Sequence, residues 1–198
     1  MTAARLILAF VLVCGLSPRA AVAQPVQGAR VAVVDFYAPS PLAPVSGIIP
    51  EERAADDLTS LLAASPGQQV VVLSRMAVRE AESAIAWRAS DMLRFARLQQ
   101  LARALNAVRL MVGWIQRFDL DRSGPGGQGG GGGRFFSGFA TVTVQVFDAK
   151  EVRVVSQVQQ SAYERGTATR SVMAERLLRT VLEHALLSVI SAGVSGSR

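Results

Sequence analysis

The sequence predicts an α/β protein in which a mixed β-sheet packs against α-helices. Short apolar runs without polar alternation, typical of strands buried on both faces, alternate with helical patterns in the first part of the chain. An alternating run then predicts an antiparallel meander, and a long helical pattern follows it. Together these three observations give the element order β-α-β-α-α-β-β-β-α.

The first predicted strand and helix are separated by a proline-rich loop. Val31–Phe36 is a compact apolar run and predicts a buried strand. Four prolines from residue 39 to residue 50 exclude regular structure there, because proline fixes φ and lacks an amide donor. Pro50-Glu51-Glu52 then opens a helix, since early acidic residues are favourable against the helix dipole. We expect Ser65-Pro66-Gly67 to end it.

A second strand and two further helices come next. Gln69–Ser74 predicts another buried strand, and Met76–Trp87 has apolar residues at helical spacing. Ser90-Asp91 has the composition of an N-cap and is expected to start the next helix. We expect Asn106 to end that helix.

Three strands follow. Val108–Phe118 predicts a strand with a glycine inside it. Phe139–Phe147 alternates, with its valines on one side and Thr141 and Thr143 on the other, which predicts a half-exposed antiparallel strand. Val152–Ala162 is the predicted partner of that strand.

The final helix has a broad apolar face. Its residues from Val172 to Ile190 carry this face at three- and four-residue steps. Thr169 or Ser171 is expected to cap its start, and Gly193 is expected to end it.

Residues 1–23 have the three parts of a secretory signal peptide, so residues 24–198 are expected to form a single domain. Arg5 provides the positive start and residues 6–13 the apolar run, which is shorter than the roughly 20 residues of a membrane-spanning helix. Two alternatives stay open, a retained N-terminal anchor and lipidation of Cys14.

Composition excludes several classes of protein. Half of the 198 residues are apolar, which excludes a wholly disordered chain. The single cysteine excludes a disulfide framework within the chain, and the single histidine excludes most histidine-based metal clusters. Four arginines surround one predicted helix and are interpreted as a solvated face: Arg88, Arg94, Arg97 and Arg103.

The net charge also argues against nucleic-acid binding. The formal charge of +6 falls to +4 when residues 1–23 are removed, because 19 basic and 15 acidic side chains remain. A secreted chain with so modest an excess is not expected to bind nucleic acid.

Gly124–Gly133 has eight glycines in ten positions and predicts a flexible hairpin tip. The tract formally contains GxGxxG, but a strand rather than a helix follows it, so no nucleotide cofactor is expected. Phe135, Phe136 and Phe139 lie beside it. We predict that these three aromatic residues contact a partner protein or a membrane surface, the alternative being that they pack onto the sheet.

The residues with catalytic potential are isolated in the sequence. His184 is the single candidate general base and stands without a nucleophile motif. Asp119 and Asp121 share a face of a predicted strand, although a charged strand end is the simpler interpretation. Asp35 follows the first strand and is expected to cap a loop or pair with an arginine. We therefore predict no catalytic residue, no cofactor site and no metal site, and a protein that is not an enzyme.

The ordered motifs resemble the periplasmic domain of the curli-secretion CsgG family and its relatives in the TolB N-terminal and LpoB-like group. The features that carry the resemblance are strands, helices and their junctions: Val31–Phe36, Val70–Arg75, Leu105–Ile115, Thr141–Val158 and Val172–Ile190.

The resemblance implies a non-enzymatic periplasmic protein that binds other envelope proteins, or itself, with peripheral contact with the outer membrane left open. The pore-forming members insert two hairpins into the membrane. The glycine tract lacks the tall alternating apolar band of such a hairpin, and Ser161–Thr169 passes almost directly from strand to helix, so we expect no transmembrane pore. Two functions follow as alternatives, a CsgG-like assembly or secretion accessory and an LpoB-like regulator of a peptidoglycan synthase.

Overall fold

The computed structural model describes residues 28–40, 42–65, 70–123 and 135–195, with side chains described as far as Ser191 except at residue 123. The predicted signal peptide at residues 1–23 and the predicted hairpin tip at 124–133 lie outside the described residues.

The element order confirms the predicted α/β class. The helices and strands are β1 Ala29–Val33, α1 Pro50–Ala64, β2 Val70–Val72, α2 Arg75–Ala84, α3 Phe95–Leu105, β3 Arg109–Ser123, β4 Phe135–Asp148, β5 Arg153–Thr167 and α4 Arg170–Ser195, with a short 3₁₀ turn at Ala89–Leu93 between α2 and α3.

The sheet is mixed and has the strand order β2-β1-β3-β4-β5. β1 lies between β2 and β3 and is parallel to both. β3, β4 and β5 form an antiparallel meander, in which β3 and β4 stay paired as far as Ser123 and Phe135. This long pairing explains why β3 and β4 extend beyond the predicted ends at Phe118 and Phe139.

Helices cover the two faces of the sheet unequally. On one face, α1 and α4 pack over the sheet through apolar residues that include Leu58, Leu178 and Leu182. On the other face, α2 and α3 pack over β1 and the start of β3, around Leu98, Leu101 and other buried residues. The α1–α4 face therefore carries a core that reaches along the meander, whereas the α2–α3 core stops near its beginning.

Local chemistry explains most of the helix ends. Asn106 follows α3 in the left-handed conformation, with φ 48° and ψ 42°, and confirms the predicted stop. Thr169 Oγ1 accepts a hydrogen bond from the Val172 amide at 3.3 Å, so Thr169 caps α4. The prediction that Gly193 ends α4 is wrong, since the helix continues to Ser195.

Two strands are shorter than their apolar runs predict. β1 ends at Val33 rather than Phe36, and β2 ends at Val72 rather than Ser74. Beyond Val33 the chain still follows β3, because the Val34 and Tyr37 amides donate to β3 carbonyls at 2.9 and 3.0 Å. Gly113 on β3 permits this close approach, since a Cβ there would collide with the Phe36 ring.

The prediction that Thr141 and Thr143 face solvent is wrong, because both are buried. β4 lies between two long strands, and longer side chains on those strands cover its small residues. Thr143, for example, lies between Trp114 of β3 and Gln159 of β5.

Candidate functional site

The predicted aromatic contact residues separate onto the two faces of the sheet, because successive side chains on a strand alternate. Phe136 is 7% exposed and lies on the α4 side, against a cleft that Leu120 also lines. Phe135 is 39% exposed and Phe139 is half-buried, both on the opposite side. The geometry thus brings Phe135 and Phe139 together and leaves Phe136 in the interior.

Phe135 and Phe139 belong to a broad surface that we name the open face. It consists of the odd-numbered residues of segments 117–121, 135–143 and 157–167, on the side of the meander away from α4. In the described part of the chain, α2 and α3 lie over β1 and the start of β3 and do not extend over these segments.

Three strands supply the aromatic and charged side chains in the middle of the open face. Asp119, Phe139 and Tyr163 are direct cross-strand neighbours, and Tyr163 is 62% exposed. The next row is Asp121, Ser137 and Arg165. Aromatic rings and arginines on one flat surface are the residue types enriched in the centres of protein interfaces.

Cation–π contacts hold two of these aromatic rings in place. The Arg117 guanidinium carbon lies 4.9 Å from the centre of the Phe139 ring, and that of Arg165 lies 5.4 Å from the Phe135 ring. Arg117 also pairs with the Asp119 carboxylate. Each exposed cation–π contact contributes about 0.5–1 kcal/mol, so these side chains are partly ordered before any partner binds.

Hydrogen bonds between neighbouring strands order the polar part of the same face. Thr141 and Ser161 join through their hydroxyls at 2.9 Å. Thr143 is 1% exposed, and its hydroxyl oxygen has no hydrogen-bond partner among the described residues. Sequence alternation alone missed this buried hydroxyl, because it placed both threonines in solvent.

Two of the three acidic candidates for catalysis, Asp35 and Asp119, are engaged in ion pairs. Asp35, as expected, pairs with an arginine, which is Arg75. Asp119 is occupied by Arg117, and exposed Asp121 borders the cleft beside the start of α4. The described residues contain no group of three or more potential metal ligands.

His184 lies on the exposed surface of α4. Its own backbone carbonyl accepts a hydrogen bond from the Ser188 hydroxyl at 2.9 Å, as in an ordinary helical turn. Among the described residues, the structure therefore brings no nucleophile to this histidine.

A buried carboxylate that sequence reasoning missed lies at the end of β1. Glu82 of α2 accepts a hydrogen bond from the Asp35 amide at 3.3 Å, beside a cleft of about 560 Å³. Burial raises the pKa of Glu82, although Arg75 and Arg79 oppose this shift. Nothing in the helical pattern of α2 distinguishes Glu82 from its exposed neighbours, because its burial depends on how α2 docks against β1.

The arginines expected on a solvated helix face have different roles. Arg97 donates to the Asp91 carboxylate at 2.9 Å and to the Ile85 carbonyl at 2.9 Å. The hydrogen bond to Asp91 lowers the pKa of that carboxyl group. Arg94 and Arg103 remain exposed. Arg97 is thus a structural cross-link between α3 and the preceding turn.

No helix among the described residues has both the length and the apolar character needed to cross a membrane. The chain matches no protein-family model, and no curated protein sequence matches it.

The fold belongs to the class of compact α/β domains with a three-stranded meander. Solved bacterial proteins share this fold. The chain is similar to lipoprotein GNA1162 from Neisseria meningitidis at 13% identity, covering 85% of this chain and 99% of that one with a TM-score of 0.52. It is similar to the hypothetical protein CT253 from Chlamydia trachomatis at 12% identity, covering 86% and 99% with a TM-score of 0.53. A weaker likeness, with a TM-score of 0.43, is to the LpoB C-terminal domain from Salmonella enterica, at 12% identity over 69% and 83% of the two chains.

At these identities the likeness establishes the fold alone. It does not show membership of the CsgG family in particular.

Proposed function

We propose that this chain is a non-enzymatic periplasmic protein of the cell envelope that binds other proteins through the open face. The single observation that carries the proposal is the exposed aromatic and arginine surface around Phe135, Phe139 and Tyr163, which α2 and α3 do not reach in the described part of the chain.

The shape and order of this surface favour protein binding. A flat sheet face with partly ordered aromatic side chains binds at low entropic cost, because few rotamers remain to be fixed. The polar side chain of Thr141, buried in the middle of this face, is joined to β5 by a cross-strand hydrogen bond. Such a surface suits a broad protein contact better than a small ligand, which needs a concave pocket.

The pairing of Asp35 and Asp119 with arginines favours binding over catalysis at these two residues. Asp35 and Asp119 each face an arginine, and neither lies within a group of candidate metal ligands in the described residues. A general acid or base needs a free carboxyl group that can reach a substrate.

The LpoB-like regulator of a peptidoglycan synthase is the finer form of this proposal that we favour. Its support is the resemblance of the ordered sequence motifs, together with a fold shared with a lipoprotein. A CsgG-like secretion accessory is the competing form. The periplasmic location depends on export directed by residues 1–23, which cell fractionation tests. Intact mass then shows whether this segment is cleaved or retained.

The test is affinity capture from envelope extract, followed by binding measurements with the purified captured protein. We expect Tyr163→Ala and Phe135→Ala each to weaken binding roughly tenfold or more, as central interface aromatics do. Met76→Ala, which alters an apolar residue of α2 that is 70% exposed, is the matched control and should bind normally.

The identity of the captured protein separates the two finer forms. A peptidoglycan synthase supports the regulator, and a secretion or fibre component supports the accessory. Equal binding by the open-face variants and the control would place the binding surface elsewhere and contradict the proposal.

A further inference from the structure

The cleft of about 560 Å³ beside Asp35 and Glu82 lies where the topology of the sheet leaves a crevice. The parallel strands β1 and β2 are neighbours, and the chain leaves them toward opposite faces of the sheet, to α1 after β1 and to α2 after β2. In open α/β sheets, diverging connections of this kind leave a crevice at the carboxyl ends of the strands, and ligands bind there.

The size and lining of this cleft suit a small molecule. Small-molecule sites measure about 300–1,000 Å³ and combine apolar walls with a few polar groups. Phe36 and Trp87 provide apolar surface here, and the charged groups are Asp35, Arg79 and Glu82. A larger cleft of about 720 Å³ lies at the start of α4, but all of its charged lining residues are exposed.

Glu82 is a buried charged group that opens on the smaller cleft. It is 8% exposed, and one of its carboxylate oxygens accepts the hydrogen bond from the Asp35 amide. Among the described residues this carboxylate has no other hydrogen bond, and its second oxygen is not enclosed by protein, so it is open to the cleft. A buried charge is unfavourable unless it is paired, and a positively charged ligand group would pair with this oxygen.

Arg79 brings the opposite charge to the same cleft. Glu82 and Arg79 are three positions apart on α2 and therefore lie on the same side of the helix, yet no ion pair joins them. One terminal nitrogen of Arg79 contacts Glu52 at 3.5 Å and Asp56 at 3.9 Å. Its remaining guanidinium donors have no partner in the described part of the chain.

The two charges together define the class of ligand. A simple anion in the cleft would be repelled by the Glu82 carboxylate, and a simple cation would be repelled by the Arg79 guanidinium. A zwitterion pairs with both, through its ammonium group at Glu82 and its carboxylate at Arg79.

Trp87 provides the apolar wall of the cleft from the turn after α2. Ala86 has a φ of 50°, and the Trp87 amide donates to the Glu82 carbonyl at 2.8 Å, which closes the end of the helix. This turn places Trp87 beside the cleft together with Phe36. The two rings offer contact to an apolar side chain of a ligand whose charged groups meet Glu82 and Arg79.

From this geometry we infer that the cleft binds a small zwitterion of the amino-acid type, with its ammonium group at Glu82, its carboxylate at Arg79 and its side chain against Trp87. The site shares no residue with the open face. It therefore adds a small-molecule site to the domain and does not depend on the identity of the envelope partner.

A thermal-shift panel of the standard amino acids with the purified full chain tests the ligand class. A ligand that binds the folded state raises the midpoint of unfolding, and we expect this for at least one amino acid with an apolar side chain. The amide of that amino acid keeps only the ammonium charge, and its N-acetyl derivative keeps only the carboxylate. Each derivative should bind at least about tenfold more weakly in isothermal titration calorimetry, because one charged group of the site is left unpaired.

Charge-removing variants test the position of the ligand. Glu82→Gln keeps an acceptor for the Asp35 amide, and Arg79→Gln keeps a polar side chain at the rim. Both should weaken binding of the same amino acid at least about tenfold. Glu82→Gln removes an unfavourably buried charge, so its loss of binding would not reflect unfolding. Glu80→Gln, an exposed change on α2 outside the cleft lining, is the matched control and should bind normally.

Three outcomes would overturn the inference. The absence of a thermal shift with every amino acid of the panel excludes the site. Equal affinity for the amino acid, its amide and its N-acetyl derivative shows that the ligand is not recognised as a zwitterion. Equal binding by Glu82→Gln and Glu80→Gln places the ligand elsewhere. Protein capture by the open face is measured without amino acids, so failure of one proposal is distinguishable from failure of the other.

Discussion

The Thr143 hydroxyl lies in the middle of the sheet without a hydrogen-bond partner among the described residues, whereas Thr141 two residues earlier shares its hydroxyl with Ser161. Both threonines have small apolar neighbours in sequence, yet their energetic roles are opposite. A buried polar atom that forms no hydrogen bond loses its interaction with water and gains nothing in return. The difference between these residues is therefore decided by which cross-strand partner each one meets.

We expect Thr143→Val to raise the free energy of unfolding by about 1 kcal/mol, because it replaces an unpaired buried hydroxyl with a methyl group of similar size. Urea denaturation of the purified domain measures this change. Thr141→Val is the matched control and should lower stability, since it breaks the bond with Ser161. A loss of stability in both variants would show that the Thr143 hydroxyl is paired.

Among the secondary-structure elements, α2 is attached to β1 through charged groups as well as apolar contacts. Arg75 at its first turn pairs with Asp35 and donates to the Val33 carbonyl, and Glu82 near its end accepts from the Asp35 amide. Burial raises the pKa of Glu82 and lowers that of Arg75. The docking of this helix therefore depends on pH.

We expect Glu82→Gln to have a higher free energy of unfolding than the natural chain. This difference should grow as pH rises above about 4.5, the usual pKa of glutamate. The folded chain holds the Glu82 proton to a higher pH than the unfolded chain. Stability therefore falls as pH rises through the folded pKa, and glutamine removes this loss. Denaturation between pH 4 and pH 8 measures the difference.

Glu80→Gln, an exposed change on the same helix, is the matched control for charge removal. If both variants differ from the natural chain by the same amount at every pH, burial of Glu82 does not govern the pH dependence.

At the scale of the whole molecule, the sheet carries two cores of different extent. The α1–α4 core follows the meander and joins α4 to α1 as well as to β4 and β5. The α2–α3 core ends near the beginning of β3 and leaves the open face without a helix layer in the described structure. The stabilising core and the proposed binding surface therefore lie on opposite faces of the same three strands.

We expect Leu182→Ala to lower the free energy of unfolding by about 2–5 kcal/mol, because Leu182 is fully buried between α4 and the sheet. Val172→Ala, on the exposed side of α4, should change it by less than about 0.5 kcal/mol. Thermal unfolding followed by circular dichroism compares the two. Similar effects of both substitutions would show that α4 does not anchor the core as described.

Much of the fold could be predicted from the sequence, and less of the candidate site. The element order, the Asn106 helix end and the pairing of Asp35 with an arginine follow from local patterns and are confirmed. The three phenylalanines were predicted as one contact group, whereas the sheet separates Phe136 from the other two. Glu82 gave no sequence signal, because its burial depends on a neighbouring strand 47 residues away.

By itself the sequence determined the class of the fold and the kinds of side chain available to it, because periodicity and turn residues act over a few neighbouring positions. Only the tertiary structure decided which face of the meander is covered, which threonine is buried without a partner and which strand is left at the edge. Those properties arise from contacts between segments far apart in the chain, and no local pattern contains them.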